Sequence, residues 1–329
     1  MKRIKIFALA VVLGLSFAIF TCFVSNNLWS RFLHRQDVID QQFAILKGES
    51  YLLGGDVYYL PMFQNRVLFA YGLKFLSNFG VISVSKWYLL LRLFTAFLAF
   101  FVFFYAVVKA GGVKYKAAAM GMMLLAYEFV LSFNHAFEHP PDFLDAVFMI
   151  LFLWASLKVR PVTLLIFALL GSLSRESCVF AGVIWIFVNG FNEAFRLKYP
   201  ESLYGALISV VSYGAAIAVR FALGGSKIKI TYLQMDAGLP HLAAKFKEFL
   251  RNPTNSSWPV LLAAMLVPLV LWLWSSRKFL TSLHLRLLAA SAAIILMSQQ
   301  YARMDELRTF IPALTIAVYV AVVSDGDLR

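Results

Sequence analysis

Apolar residues in this chain come in continuous runs rather than in alternation, and the runs have the length of bilayer-crossing helices. They extend from Ile4 to Val24, Trp87 to Val108, Ala117 to Phe133, Phe143 to Leu157, Leu203 to Leu223, Pro259 to Trp274, Leu283 to Ser298 and Phe310 to Val323. Crossing a hydrocarbon core takes ~20 apolar residues in a helix, and in lipid every backbone polar group must bond within its own segment or a closed barrel. Unbroken runs leave helices, so no strands are expected. The stretch from Pro161 to Asn189 is too long for one ordinary span and is interrupted by Ser174-Arg175-Glu176-Ser177. It reads as two short helices meeting near Arg175. The expected fold class is all-α: a polytopic helical membrane protein of about 9–10 transmembrane helices. Residues 1–329 form one membrane domain with no internal repeat.

Composition agrees with the pattern. Hydrophobic residues make up 61% of the chain and charged residues 14%, with a mean hydropathy of +0.76, whereas soluble domains carry about 25% charged residues. The formal charge is +13. Its Lys and Arg lie in short connectors and at span ends rather than on one soluble face, which argues against a nucleic-acid partner and for membrane lipids. Cys22 and Cys178 sit inside apolar runs without CxxC spacing. They read as small core residues, not as a disulfide framework or a metal site. The N-terminal run is longer than a secretory signal core and lacks an A-x-A site, so it reads as a retained first helix.

Lys2, Arg3 and Lys5 place the N-terminus in the cytoplasm, because Lys and Arg accumulate in short cytoplasmic loops. Alternation then sends residues 26–86 outside as a long loop with amphipathic helices, and residues 224–258 outside as a second loop. Lys109, Lys114, Lys116, Lys158, Arg160, Arg196, Lys198, Arg277 and Lys278 fall inside, as does the C-terminus. A single crossing from Pro161 to Asn189 would invert everything after it. In the second outer loop, Leu239, Leu242, Phe246, Phe249 and Leu250 stand at helical spacing opposite Lys245, Lys247 and Arg251, the pattern of an interfacial helix. Of the 17 acidic residues only Glu193, Glu201, Asp325 and Asp327 are then cytoplasmic. Glu128, Asp142, Asp145, Arg175, Glu176, Arg220 and Arg303 lie in or beside the outer span ends, where ionisable groups face a polar cavity or a partner.

Several of these outer residues have the chemistry of a site. Asp37 and Asp40, three apart at the start of a predicted helix, point to nearly one side. Either serves as a general base, or the two act as an N-cap and a first-turn acid. Arg66 holds a phosphate or snorkels to the interface. His135, Glu138 and His139 form H-x-x-E-H on a loop, a weak divalent-metal pattern because Pro140-Pro141 ends the helix that its zinc-peptidase form needs. Hydrogen bonding to a sugar or phosphate suits them better. No other cofactor is indicated. Arg175 has the planar fork that phosphate recognition uses, or it forms an ion pair with Glu176 or another helix. Arg303 and Arg308 add two guanidiniums before the last span, for phosphate or for anchoring to the membrane surface.

Taken in order, RQDVIDQQFAILKGESY, QNRVLFAYG, LSRES and DELRTFIP resemble the GT-C superfamily of integral-membrane glycosyltransferases, in a small form without a soluble C-terminal domain. The resemblance implies sugar transfer from a polyprenyl-phosphate-linked donor to a glycan, lipid or protein acceptor on the extracytoplasmic side of a bacterial inner or plasma membrane. It implies a first-loop base, Asp40 or Asp37, with Arg175, Arg66, Arg303, Arg308, His135, His139, Glu138 and Glu176 binding substrate and phosphate. The first-loop acids stand as D-x-x-D rather than as the family's adjacent pair, which leaves the choice of base open. Competing readings are a secondary transporter or channel with a broken-helix site, an outer-face polysaccharide polymerase or ligase, and a non-catalytic assembly factor.

Overall fold

The computed structural model describes residues 2–29, 43, 51–53, 56–58, 67–110, 112–132, 140–224, 247, 258–301 and 307–326. Helix α1 (Lys2–Trp29) is followed by α2 (Val67–Ser77), α3 (Val84–Ala110), α4 (Tyr115–Ser132), α5 (Pro140–Leu157) and α6 (Pro161–Ser172). A 3-10 turn (Glu176–Val179), α7 (Phe180–Trp185) and a π turn (Ile186–Gly190) run on without a gap. Then come α8 (Tyr199–Gly224), α9 (Trp258–Ser275), α10 (Ser282–Tyr301), a 3-10 turn (Leu307–Phe310) and α11 (Ile311–Gly326). One departure from the all-helical expectation lies inside the first loop. Strands β1 (Tyr51–Leu53) and β2 (Asp56–Tyr58) pair antiparallel, with Tyr51 opposite Tyr58. The sequence between them is Gly54-Gly55, a pair that two-residue hairpin turns favour, and aromatic and β-branched residues flank it.

Three described helices are long and apolar enough to cross a membrane: Ile4–Val24 within α1, Val84–Lys109 within α3 and Tyr199–Val219 within α8. The apolar segments Leu68–Ser77, Pro161–Ser172, Glu176–Gly190, Val260–Ser275, Ser282–Ser298 and Ile311–Ser324 are shorter. Large apolar residues such as Phe7, Phe23, Leu203, Val210, Leu271 and Leu296 are exposed around the bundle. That surface suits hydrocarbon rather than water.

The stretch that reads as two short helices is two short helices, and they run in opposite directions. At one end of α5, Ser156 accepts a hydrogen bond from Asn189 Nδ2 at 3.0 Å. Toward its other end, Asp145 accepts one from Ser177 Oγ at 2.6 Å. So α6 climbs along α5 to the turn at Arg175, here called the upper end, and α7 descends. The lower return from α5 to α6 is tight: Val159 adopts φ 51°, and Arg160 N–H donates to Ala155 O at 2.9 Å, a left-handed helix stop at a residue that is not glycine.

Ring contacts set the heights of the neighbouring helices. Phe143 of α5 meets Phe129 of α4 at 4.7 Å, Phe129 meets Phe100 of α3 at 6.0 Å, and Phe100 meets Phe17 of α1 at 5.8 Å. On the hairpin, Cys178 O accepts from Ser212 Oγ of α8 at 3.4 Å. Above that level α4 stops at Ser132, α5 starts at Pro140 and the hairpin turns at Arg175, all within about one helical turn. By contrast α1 continues from Phe17 to Trp29, α3 begins as far back as Val84, and α8 continues from Ser212 to Gly224. At 1.5 Å per residue each rises a further ~18–24 Å. The tall helices are the three with membrane-crossing length.

Close backbone approach locks the hairpin to α8. A Cβ on Gly182 would meet the Gly205 carbonyl and the Ser209 hydroxyl, and one on Gly190 would meet Ser202. Ser209 Oγ donates to Val179 O at 2.7 Å, and Trp185 Nε1 to Glu201 O at 3.0 Å. Small residues with interhelical hydrogen bonds are the means by which helices associate where burial from water supplies little driving force. At the lower end Arg286 Nη1 donates to Val188 O at 2.9 Å and to Phe191 O, holding the carbonyls left open by the π turn. Gly182→Ala will destabilise the protein by about 1–3 kcal/mol through overpacking. Gly214→Ala, on the same helix system but with nothing within 4 Å, will leave the detergent melting temperature unchanged or slightly raised.

Candidate functional site: a buried carboxylate–guanidinium cluster

The upper ends of α5 and of the α6–α7 hairpin bring three charges together. Asp142 is 0% exposed, Asp145 1% and Arg175 8%. Helix α5 starts on Pro140-Pro141, whose fixed φ and missing N–H suit a first turn. That start puts Asp142 in the first turn, where the helix dipole favours an acid. Asp145, three residues on, shares its face. Arg175 sits between α6 and the 3-10 turn with an extended backbone, φ −165°. The Gly171 carbonyl accepts from both Ser174 N–H and Arg175 N–H at 2.9 Å, closing α6 and sending the Arg175 side chain across to α5.

One nitrogen, Arg175 Nη1, donates both to Asp142 Oδ1 and to Asp145 Oδ2, the latter at 2.8 Å. Ser177 Oγ donates to the other Asp145 oxygen. Among the described residues, two carboxylates here face one guanidinium. Beside it, Leu68 N–H of α2 donates to Leu173 O at 2.9 Å. This bond ties the segment that leaves the first loop to the hairpin turn. Between the tall helices, Arg92 Nη2 of α3 donates to Cys22 O of α1 at 3.0 Å.

Of the residues singled out from sequence, the structure thus brings Arg175 into an inter-helix ion pair, with Asp142 and Asp145 as its partners. A phosphate at this guanidinium would compete with two anions already in place. Glu176 opens the 3-10 turn and is half-buried. Asp37, Asp40, Arg66, His135, Glu138, His139 and Arg303 lie outside the described residues, as does the interfacial helix expected near Leu242. Arg308 is described only as backbone in the turn Leu307–Phe310. Among the described residues no three His, Cys, Asp or Glu side chains come together as a metal-binding group. Asp142 and Asp145 were recognisable as ionisable residues at a span end. The signal for their role was their three-residue spacing on one face of α5, which points both carboxylates at whatever packs there.

Fold and site define an apolar helical bundle with three membrane-length helices and a buried ion cluster at the head of a half-height hairpin. The chain matches no family model, no curated protein and no solved structure.

Removing the cation alone leaves two buried carboxylates facing each other. Arg175→Ala will therefore destabilise the protein by about 3–5 kcal/mol, read as a fall in detergent melting temperature. Replacing Asp142, Asp145 and Arg175 together by apolar residues of similar volume will recover most of that loss, because all three charges of the pair of salt bridges are then removed together.

Proposed function

We propose that this chain is a polytopic integral-membrane glycosyltransferase that moves a sugar from a polyprenyl-phosphate-linked donor to an acceptor hydroxyl at the extracytoplasmic face. The shorter helices lie in the membrane together with α1, α3 and α8. The upper end faces away from the cytosol. Charge supports this orientation: Lys109, Lys114, Lys116, Lys158, Arg160, Arg196, Lys198, Arg277 and Lys278 are exposed at lower connectors, accompanied by Glu193 and Glu201. Aromatic rings back several of these cations, with Arg277 4.4 Å from the Trp274 ring centre and Arg160 5.3 Å from that of Trp154. Such pairs suit the headgroup layer.

The observation that carries the reading is the step in helix height. α4, α5 and the α6–α7 hairpin end at a floor ~13–20 Å below the tops of α1, α3 and α8, and the floor carries the ion cluster. Ionised groups at such a depth in a membrane are costly and mark a substrate path or a polar cavity. The segment with Asp37 and Asp40 joins the top of α1 to α2, whose Leu68 is bonded to the hairpin turn. Arg66 precedes Leu68 by two residues in the chain. The loop with His135, Glu138 and His139 joins two helices that both end at the floor.

In this reading Asp40 or Asp37 takes the proton of the acceptor hydroxyl. Asp142 and Asp145 hold Arg175 in place rather than react. Arg66, Arg303 and Arg308 stabilise the charge that develops on the leaving lipid phosphate. A polymerase or ligase would share this donor site and differ in its acceptor.

A second reading, a transporter, draws on the same hairpin, because half-length helices with charge at their junction are how transporters build sites near the membrane midplane. Transfer of labelled sugar from a polyprenyl-phosphate donor by the protein in nanodiscs separates the two. Asp40→Asn or Asp37→Asn will lower that transfer by about 10²–10⁴-fold with unchanged melting temperature. Wild-type turnover in both variants removes the proposed base. Solute flux across proteoliposomes that persists in both variants decides for the transporter.

A further inference from the structure

Helix α4 buries one carboxyl that the ion cluster does not use. Glu128 is 1% exposed, and among the described residues neither of its carboxylate oxygens has a hydrogen-bond partner. Helical register locates it. A Cβ on Gly121 would strike Val322 and the Phe103 ring, so Gly121 marks where α4 presses on α11. Glu128 lies seven residues on, only ~20° around the helix, and therefore enters the same seam. The 3-10 turn before α11 also packs on α4, so the two helices are antiparallel and Glu128 stands level with Thr315. That hydroxyl is committed to its own helix, donating to Ile311 O at 2.8 Å, and Ser132 Oγ one turn above donates to Phe129 O at 2.9 Å.

Among the described residues, the ionisable side chains on the elements packed against α4 do not supply a counter-charge to the carboxyl. From α11 comes Tyr319, one turn below Thr315, and from α5, which meets α4 at Phe143 and Phe129, come Asp142 and Asp145, acids that Arg175 holds. From α3 come Tyr88, Arg92, Tyr105, Lys86 and Lys109, of which Arg92 donates to the Cys22 carbonyl and Lys109 to the Tyr105 hydroxyl. From α1 come Cys22 and the basic N-terminal residues at the lower end, and α9 has no ionisable residue. The turn before α11 carries Arg308, whose side chain is outside the described residues. On α4 itself Tyr127 turns to Ala264 O of α9 at 3.2 Å. Without solvent and, among the described residues, without a partner, an ionised carboxylate in such a seam carries a penalty of several kcal/mol, whereas the neutral acid bears only the smaller price of an unbonded dipole.

We propose that Glu128 is a proton-binding site: its carboxyl carries a proton in the seam between α4 and α11 and exchanges it at the level of the floor, where α4 ends. The ligand is a proton rather than a metal ion, since among the described residues no further carboxylate or imidazole joins Glu128, and a single carboxylate offers too few donors for one. Release of the proton leaves an anion that the closed seam does not accommodate, so exchange is coupled to separation of α4 from α11. The inference stands on burial and register and does not depend on the sugar-transfer reading.

Dicyclohexylcarbodiimide tests it on the full chain in nanodiscs. This apolar reagent takes up the proton of a neutral carboxylic acid on one nitrogen and the carboxylate oxygen on its central carbon, then rearranges to a stable N-acylurea. Peptide mass spectrometry is expected to find the adduct on Glu128 at mildly acidic pH. Labelling declines about tenfold per pH unit past its midpoint and is indifferent to added sodium. Glu128→Gln, which keeps the neutral shape, elutes as wild type and loses only that adduct. An unlabelled Glu128 in wild-type protein that remains monodisperse overturns the proposal. Protection by sodium at constant pH also overturns it, by assigning the carboxyl to a cation. The wild-type measurement stands even where the variant fails to fold.

Discussion

One guanidinium held between two carboxylates is what allows the upper end of this bundle to exist. A charged tetrapeptide in the middle of an apolar stretch is incompatible with a continuous crossing helix, and an unpaired Arg175 at that depth would be worse than a break. Pairing it with Asp142 and Asp145 turns the break into a hairpin of defined register, because both carboxylates sit on one face of α5 and only one height of the hairpin presents Arg175 to them. The bond between Ser156 and Asn189 fixes the other end. Buried ion pairs contribute little net stability against a well-packed apolar alternative. Their role here is to specify which of several sliding arrangements of apolar helices is adopted.

The functional geometry follows from the shortness that this pairing imposes. An apolar helix can lean on any neighbour, so sequence pattern alone leaves its height free. Once the hairpin turns at Arg175, α5 has to begin at that level to supply its acids, and α4 follows because Phe129 packs on Phe143. The tall helices α1, α3 and α8 are under no such constraint and continue upward. The result is a bundle of two heights, with ionised groups on the lower one and the first loop tied to it through Leu68. Charge on the connectors agrees with the same polarity, basic at the lower end and mixed with acids at the upper.

Much of the helix inventory could be read from the chain. The first helix, the long runs that became α3 and α8, and the division of Pro161 to Asn189 into two short helices all follow from run length and from one charged interruption. Less legible was the hairpin at Tyr51 to Tyr58, because its strands are three residues each and an alternating pattern needs more length to show. The number of bilayer-length helices was also hidden. An apolar run predicts where a helix is, but its usable length depends on where prolines, turns and partners cut it. The residues read as the first-loop base and most of the phosphate-binding set fall outside the described residues, so the ion cluster, not the loop, is where sequence reading and geometry meet.

Sequence by itself determined class and polarity: continuous apolar runs demand helices in an apolar medium, and basic connectors separate one end of the bundle from the other. Tertiary structure decided partnership and height. Arg175 found its acids on α5, and Glu128 came to lie in the seam between α4 and α11. Those outcomes rest on which helix faces touch and at what level, and neither is encoded in local pattern, because apolar surfaces attract without direction while hydrogen bonds and ion pairs act only once backbones have been brought within reach.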